Sequence, residues 1–165
     1  MAHPPQSLSI GTAPASFQDW PELLRLLQDC FAFMESRINP PSSLHTLGAA
    51  ELRAKAAKET LLIDTDNTGL VGCAYAEVRP NCVYLGKVAV APRARGQGLA
   101  RRFVELAQDL ARQHGRAVLE LQVRIELTEN QATFAALGFK SVAHTAHAGF
   151  ARPTSVTMHK AVAPD

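Results

Sequence analysis

Cysteine is scarce in this sequence. The 165 residues include only Cys30, Cys73 and Cys82, and no two of them form a C-x-x-C pair. Because an odd number of thiols cannot make a fully paired disulfide framework, we expect three buried and reduced cysteines. The six histidines are scattered along the chain, and no spacing typical of metal ligands occurs. The sequence therefore predicts neither disulfides nor a metal site.

Long apolar runs are also missing. No stretch approaches the roughly 20 apolar residues that a membrane-spanning helix needs. The first residues, MAHPPQS, lack the charged segment and the apolar core of a secretory signal. We therefore expect a cytoplasmic protein with no membrane partner, and a flexible N-terminus at residues 1–7.

A strong charge of either sign is absent. The formal net charge is +2, with 47% hydrophobic and 19% charged residues, which are ordinary values for a globular protein. So mild a charge argues against a nucleic-acid partner. A chain of 165 residues is long enough to bury the core of one domain. We place that domain at residues 8–160, followed by a short tail at 161–165.

The most informative stretch is residues 84–114, YLGKVAVAPRARGQGLARRFVELAQDLARQH. An apolar segment ends at Pro92, which cannot continue a strand ladder, and a glycine-rich turn follows at residues 93–98. Apolar residues then recur at steps of three and four, which predicts an amphipathic helix. These residues are Leu99, Phe103, Leu106 and Leu110.

A glycine turn that opens directly into a helix predicts an anion site. The first N–H groups of a helix have no partner within it, and its N-terminal end carries a partial positive charge. Gly96 and Gly98 would let a diphosphate approach the backbone, and the neighbouring arginines would add charge. An ordinary strand-to-helix turn remains the alternative.

Two common nucleotide motifs do not fit this turn. A Walker loop needs Lys and Ser or Thr after its last glycine, but Leu99 and Ala100 follow Gly98. A dinucleotide-binding turn needs a third glycine where Arg101 stands.

The strand before the turn shows a change of phase. Val83 and Leu85 put apolar side chains at odd positions, whereas Val88 and Val90 put them at even positions. Such a slip in a strand that stays half buried favours a β-bulge near Gly86 and Lys87, with a simple edge kink as the alternative. A bulge splays the strand from its neighbour and can free a backbone N–H to stabilise an oxyanion.

Two motifs resemble the GNAT superfamily of N-acetyltransferases. The segment LGKVAVAPRARGQGLA at residues 85–100 is similar to the acetyl-CoA-binding core of that family, and NQATFAALGF at residues 130–139 is similar to its later helix and strand. The resemblance covers about residues 8–160. It implies a single-domain α/β fold with a mixed, mostly antiparallel sheet, a bulged central strand and helices on both faces.

The pattern of elements agrees with that fold. We expect strands at 8–13, 60–65, 70–79 and 82–91, and a strand at 117–123 that lies parallel to the bulged one. Their divergence would open a slot for an extended ligand. A helix at about 21–36, a second at 47–58, a short helix at 129–137 and a final hairpin at 139–146 and 155–160 complete the prediction.

The resemblance also implies an activity and a set of contacts. It implies acetyl transfer from acetyl-CoA to a primary amine of a small molecule or a protein, by direct attack in a ternary complex. Homodimers are common in the family. The positions that would contact the cofactor are Val88, Ala89, Val90, Arg93, Ala94, Arg95, Gly96, Gln97, Gly98, Leu99, Ala100, Arg101, Asn130 and Phe134.

The chain departs from the family pattern at the chemical step. Phe134 stands where many members have a tyrosine that protonates the leaving thiolate, and no carboxylate stands near Gly86 and Lys87. We take Glu120 as the candidate base and Tyr84 as the candidate acid. Other candidates stay open at Glu77, Tyr75, Ser141 and His144, and at Phe33, Glu35 and Arg37 on the acceptor side. The departures also leave an alternative function, an acyl-CoA-binding module with little or no catalysis.

Overall fold

The computed structural model describes residues 9–164, so the predicted flexible segment 1–7 lies outside the described residues. The strands are β1 Ser9–Thr12, β2 Thr60–Asp66, β3 Gly69–Val78, β4 Val83–Val90, β5 Val118–Arg124, β6 Lys140–Thr145 and β7 Ser155–Ala161. The helices are α1 Trp20–Phe31, α2 Ala49–Lys58, α3 Leu99–Gln113 and α4 Thr128–Ala136, with short 3-10 turns at Ala32–Met34, Ser43–Thr46 and Pro92–Ala94.

The seven strands form one sheet in the order β1-β2-β3-β4-β5-β7-β6. Every neighbouring pair is antiparallel except β4 and β5, which are parallel and are connected through α3. The predicted mixed and mostly antiparallel sheet is therefore confirmed, as is the parallel pairing of the strand that follows α3.

Helices cover both faces of the sheet, as predicted. The Tyr75 hydroxyl donates to the carbonyl oxygen of Leu52 in α2 at 3.0 Å, which places α2 on one face. A Cβ atom built on Gly72 would lie 3.0 Å from the Phe103 ring of α3. Since side chains at odd and even positions of a strand point to opposite faces, α3 covers the other face.

The β-bulge in β4 is confirmed. Cys73 of β3 pairs with Ala89, and Tyr75 pairs with Gly86, so one residue of β3, Ala74, opposes two of β4, Lys87 and Val88. Lys87 carries the strain of this extra residue with φ 50°, in the left-handed region that few side chains adopt. The bulge keeps the apolar side chains on both sides of it facing α3, which explains the change of phase in the sequence.

The bulge also separates β4 from β5. The two strands pair only at Val83 with Leu119 and at Tyr84 with Glu120, at their N-terminal ends. Beyond these pairs the strands diverge, and the predicted slot opens between them.

The first helix is shorter than its apolar stripe suggests. We predicted helix to about Ser36, but α1 ends at Phe31 and continues as a 3-10 turn, with the Glu35 N–H donating to Ala32 O at 3.3 Å. Among the described helices, none is long and apolar enough to cross a membrane.

The core lies between the helices and the sheet and contains Cys30 and Cys73. All three cysteines are free and buried, as predicted. It also contains one acid. Asp64 of β2 pairs with Gly72 and therefore lies on the α3 face; its side chain is fully buried. Neither carboxylate oxygen of Asp64 has a hydrogen-bond partner among the described residues.

Candidate active site

The glycine turn opens α3 in the way an anion site requires. Gly98 is the N-cap of α3 with φ 79° and ψ 20°, and Gly96 also has φ 79°. Only glycine adopts this left-handed conformation without strain. A Cβ atom at either glycine would meet nothing within 4 Å, so the turn faces open space. No side chain of residues 9–164 caps the helix, which leaves its first N–H groups free to bind an anion.

A cavity of about 510 Å³ lies directly over this turn. Its walls come from the C-terminal half of β4, from the turn and the start of α3, from the end of α1 and from α4. The predicted cofactor contacts that line it are Val88, Ala89, Val90, Ala94, Arg95, Gly96, Gly98, Leu99, Ala100, Asn130 and Phe134.

Three of the predicted contacts, Arg93, Gln97 and Arg101, are absent from this lining. The Arg93 guanidinium turns toward the β2–β3 hairpin, where it donates to Thr68 Oγ1 at 2.8 Å and to Leu70 O at 3.3 Å. Arg95 is therefore the cation of the turn that faces the cavity.

The sequence reasoning missed part of the wall. Cys30, Phe31, Glu129 and Thr133 line the cavity, together with Phe33, which we had expected on the acceptor side. Cys30 and Phe31 belong to the apolar stripe of α1, which looks the same for a core helix and for a cavity wall. No local signal in the sequence separates these two roles.

A second cavity of about 280 Å³ continues from the first through the slot. The two share Phe31, Val88, Asn130 and Phe134 as lining residues. The second cavity is also lined by polar and charged side chains, among them Tyr84, Lys87, Gln122, Arg124 and His147. The cavities therefore meet at the bulged strand, one over the glycine turn and one beyond it.

The candidate acid and base lie side by side in the sheet. Tyr84 and Glu120 form one of the two register pairs between β4 and β5. The Tyr84 ring lines the second cavity and packs 4.0 Å from the Arg79 guanidinium carbon, and burial raises the pKa of its hydroxyl. Glu120 does not line either cavity.

The Glu120 carboxylate is held by two neighbours. It accepts a hydrogen bond from the Cys82 thiol at 3.3 Å and lies 3.7 Å from His159 Nε2. Burial, followed by the contact with Glu120, raises the pKa of Cys82 to about 11. The thiol therefore stays protonated at neutral pH and remains a donor to Glu120.

The sequence matches a known family over most of its length. The model described as the acetyltransferase (GNAT) family matches residues 20–139. This chain belongs to the GNAT acetyltransferase family. No match is found among curated proteins.

Solved structures of GNAT proteins share this fold. The ribosomal-protein-S18-alanine N-acetyltransferase from Escherichia coli is 21% identical with a TM-score of 0.66, and 96% of each chain is covered. Spermidine N-acetyltransferase from Vibrio cholerae, in complex with CoA and spermine, is 18% identical with a TM-score of 0.65, covering 94% of this chain and 95% of that one. A GNAT family acetyltransferase from Elizabethkingia anophelis with acetyl-CoA bound is 13% identical with a TM-score of 0.65, covering 94% and 99%.

The other candidate residues of this GNAT chain lie away from the two cavities. Tyr75 is fully buried and its hydroxyl bonds to α2. Ser141 and His144 lie on the exposed edge strand β6. Glu77 pairs with Arg79 at 3.1 Å. None of the four is among the residues that line either cavity.

An ion pair joins the two walls of the GNAT site. Arg37, after the 3-10 turn that follows α1, donates to both carboxylate oxygens of Glu129 in α4, with Nη2 3.0 Å from Oε2. Nη2 also lies 3.3 Å from the carbonyl oxygen of Glu126. The hydrogen bonds from Arg37 to the Glu129 carboxylate are the main cause that lowers its pKa to about 2, well below its ordinary range. We call this contact the Arg37–Glu129 clamp.

Proposed function

We propose that this protein is an acetyl-CoA-dependent N-acetyltransferase that acetylates a primary amine of a small molecule or a protein by direct attack in a ternary complex. The observation that carries the proposal is the junction of the two cavities at Val88. One cavity has the backbone of an anion site, and the other has a polar lining that suits an acceptor. The shared fold and the CoA or acetyl-CoA bound in two of the neighbours agree with it.

The first cavity fits the acidic end of acetyl-CoA. The free N–H groups at the start of α3, with the open space over Gly96 and Gly98, suit a diphosphate. Arg95 supplies a positive charge at the same place, where its Nε donates to Val90 O at 3.3 Å. An aromatic ring, Phe134, packs at the far side of the cavity and suits the apolar part of the cofactor arm.

The second half of β4 fits the extended arm of the cofactor. Lys87 and Val88 pair with no residue of β3 or β5 as these strands are described. Backbone groups on the open side of β4 can therefore bond to an extended ligand as they would to a neighbouring strand. An N–H group in this position can also stabilise the negative charge that develops on a thioester oxygen.

Acetyl-CoA supplies an acetyl group activated as a thioester. The amine nitrogen attacks the carbonyl carbon; the C–N bond forms, the C–S bond breaks, and the bonding pair leaves with sulfur. The amine loses one proton and the thiolate gains one. We assign the donated proton to Tyr84, whose raised pKa keeps it protonated. Glu120, its register partner, would accept the amine proton through water.

Ligand-dependent stability tests the cofactor. Acetyl-CoA and free CoA should raise the melting temperature by several degrees, while NAD and ATP should not, because a ligand that binds only the folded state stabilises it. No rise with either CoA species would overturn the proposal. A panel of primary amines then tests turnover through the release of CoA.

Two observations favour a second candidate, an acyl-CoA-binding module with little or no catalysis. The ring at the junction of the cavities is Phe134, which has no hydroxyl, and none of the described residues that line the second cavity is an acid. Strong stabilisation by acetyl-CoA without CoA release across the amine panel would select this candidate over the transferase.

A further inference from the structure

The charged lining of the second cavity is cationic. Lys87 and Arg124 line it, and no Asp or Glu does so within residues 9–164. His147 also lines it, but burial lowers the pKa of its imidazole, so the positive charge comes from the lysine and the arginine. The cavity measures only about 280 Å³, so a bound acceptor would lie close to both cations. Charges in a small and partly buried space interact more strongly than they do in water. The positive charge of this lining therefore indicates which charge a bound acceptor should carry.

Lys87 forms no ion pair with an acidic side chain among the described residues. Its pKa is lowered by burial and then by the nearby Lys55. Glu59 is the acid near enough to raise the pKa of Lys87, but its carboxylate already forms an ion pair with Lys55 at 2.7 Å. Lys87 therefore lines the second cavity as a cation that no ion pair of the described residues neutralises.

Arg124 is held in place with its Nη1 group unpaired among the described residues. Its Nη2 donates to the carbonyl oxygen of Pro41 at 3.2 Å, which fixes the guanidinium between β5 and the loop before α2. Its Nη1 is buried and has no hydrogen-bond partner among the described residues. Glu126 is near enough for its charge to raise the pKa of Arg124 against the effect of burial. Its Oε1 lies 3.6 Å from Arg152 Nη1, and its Oε2 is buried without a hydrogen-bond partner among the described residues. A buried N–H group without an acceptor costs free energy that a ligand oxygen can recover.

We propose that the acceptor is a small primary amine that also carries an anionic group, a carboxylate or a phosphate, and that Lys87 and Arg124 bind this group. The inference rests on the proposed transferase function and names the acceptor class for the same site. The anion would pair with two cations that form no ion pair among the described residues, while its amine reaches the thioester at the junction. A polyamine would instead bring further positive charge to these two side chains.

Amines of matched size test this directly. We would measure kcat/KM from CoA release for γ-aminobutyrate, aminopropylphosphonate, butylamine and putrescine. We would also compare each amino acid in a series from glycine to aminohexanoate with the alkylamine of the same length. The result then does not depend on the choice of one chain length. We expect the kcat/KM of either the carboxylates or the phosphonates to exceed that of their neutral partners by about tenfold or more. The class with the higher kcat/KM identifies the anionic group of the acceptor.

The failures of the two proposals differ. Equal or better turnover of butylamine or putrescine, at every chain length, would overturn the anionic acceptor and leave the transferase intact. Stabilisation by acetyl-CoA with no CoA release from any amine would overturn the transferase, and the acceptor assignment with it.

Two variants test the residues. Lys87→Met and Arg124→Gln should each lower the ratio of kcat/KM between the anionic amine and its neutral partner by about tenfold. Lys140→Met, on the exposed strand β6, is the matched control and should leave the ratio unchanged. An unchanged ratio in Lys87→Met with a wild-type melting temperature would overturn the assignment, even if Arg124→Gln fails to fold.

Discussion

Replacing Gly98 tests the placement of the cofactor diphosphate. A side chain at this position has two separate effects, because Gly98 has φ 79° and faces an open cavity. The left-handed backbone costs a non-glycine residue about 1–2 kcal/mol, which should lower the melting temperature by about 2–8 °C in a chain of this size. Gly98→Ala adds only this backbone strain and a methyl group, without a charge.

Gly98→Asp adds a negative charge beside the bound diphosphate. At about 5 Å, each pair of unit charges costs ~0.8 kcal/mol in water and ~3 kcal/mol at the effective dielectric of a protein surface. Repulsion from two phosphate charges should therefore cost about 2 kcal/mol or more, which corresponds to a CoA dissociation constant raised about thirtyfold or more. Titration calorimetry with CoA measures this, and the difference between Asp and Ala should shrink as salt is added.

Gly115 provides the matched control for Gly98. It follows the other end of α3 with φ 67°, a Cβ atom there would also meet nothing within 4 Å, and it lines neither cavity of the site. Gly115→Ala and Gly115→Asp should lower the melting temperature but leave CoA affinity unchanged. Wild-type affinity in Gly98→Asp would refute the placement of the diphosphate at this turn.

Three further predictions concern the aromatic wall, the candidate acid and the buried carboxyl. Phe134→Ala removes a ring that lines both cavities and should weaken CoA binding by about tenfold in calorimetry; a loss confined to kcat would instead give the ring a role in chemistry. Tyr84→Phe keeps the ring beside Arg79 but removes the hydroxyl. The kcat should therefore fall by about a hundredfold or more while the KM for acetyl-CoA stays unchanged. An unchanged kcat would exclude Tyr84 as the proton donor. Burial raises the pKa of Asp64, so the stability linked to its protonated form is complete in acid and is lost as the pH rises through that raised value. Asp64→Asn should therefore stabilise the protein by about 1–2 kcal/mol in urea unfolding at neutral pH, and this gain should disappear near about pH 3, whereas a gain independent of pH would contradict the reasoning.

Local sequence signals predicted the centre of the site. The glycine turn, the helix after it and the bulge near Lys87 each depend on a few neighbouring residues, and the structure has all three. The change of apolar phase along β4 was enough to locate the bulge, because a half-buried strand must keep its apolar side chains on one face.

The walls of the site could not be predicted in the same way. Arg37 and Glu129 meet across 92 positions of the chain, and only the packing of the end of α1 beside α4 brings them together. Arg93 looked equivalent to Arg95 in the sequence, but its guanidinium donates hydrogen bonds to the hairpin between β2 and β3. Such contacts depend on tertiary structure, which leaves no periodic pattern in the residues involved.

The short ladder between β4 and β5 has a consequence for cooperativity. Two residue pairs connect the four strands on one side of the sheet to the three on the other, and in the described part of the chain no further β4–β5 pair continues that connection along the slot. The free protein should therefore open along this line before it unfolds globally, and amide hydrogens of β4 and β5 beside the slot should exchange early. A ligand that occupies the slot as an extra strand would connect the two halves, so that saturation with CoA should slow exchange on both sides and merge their unfolding into one transition.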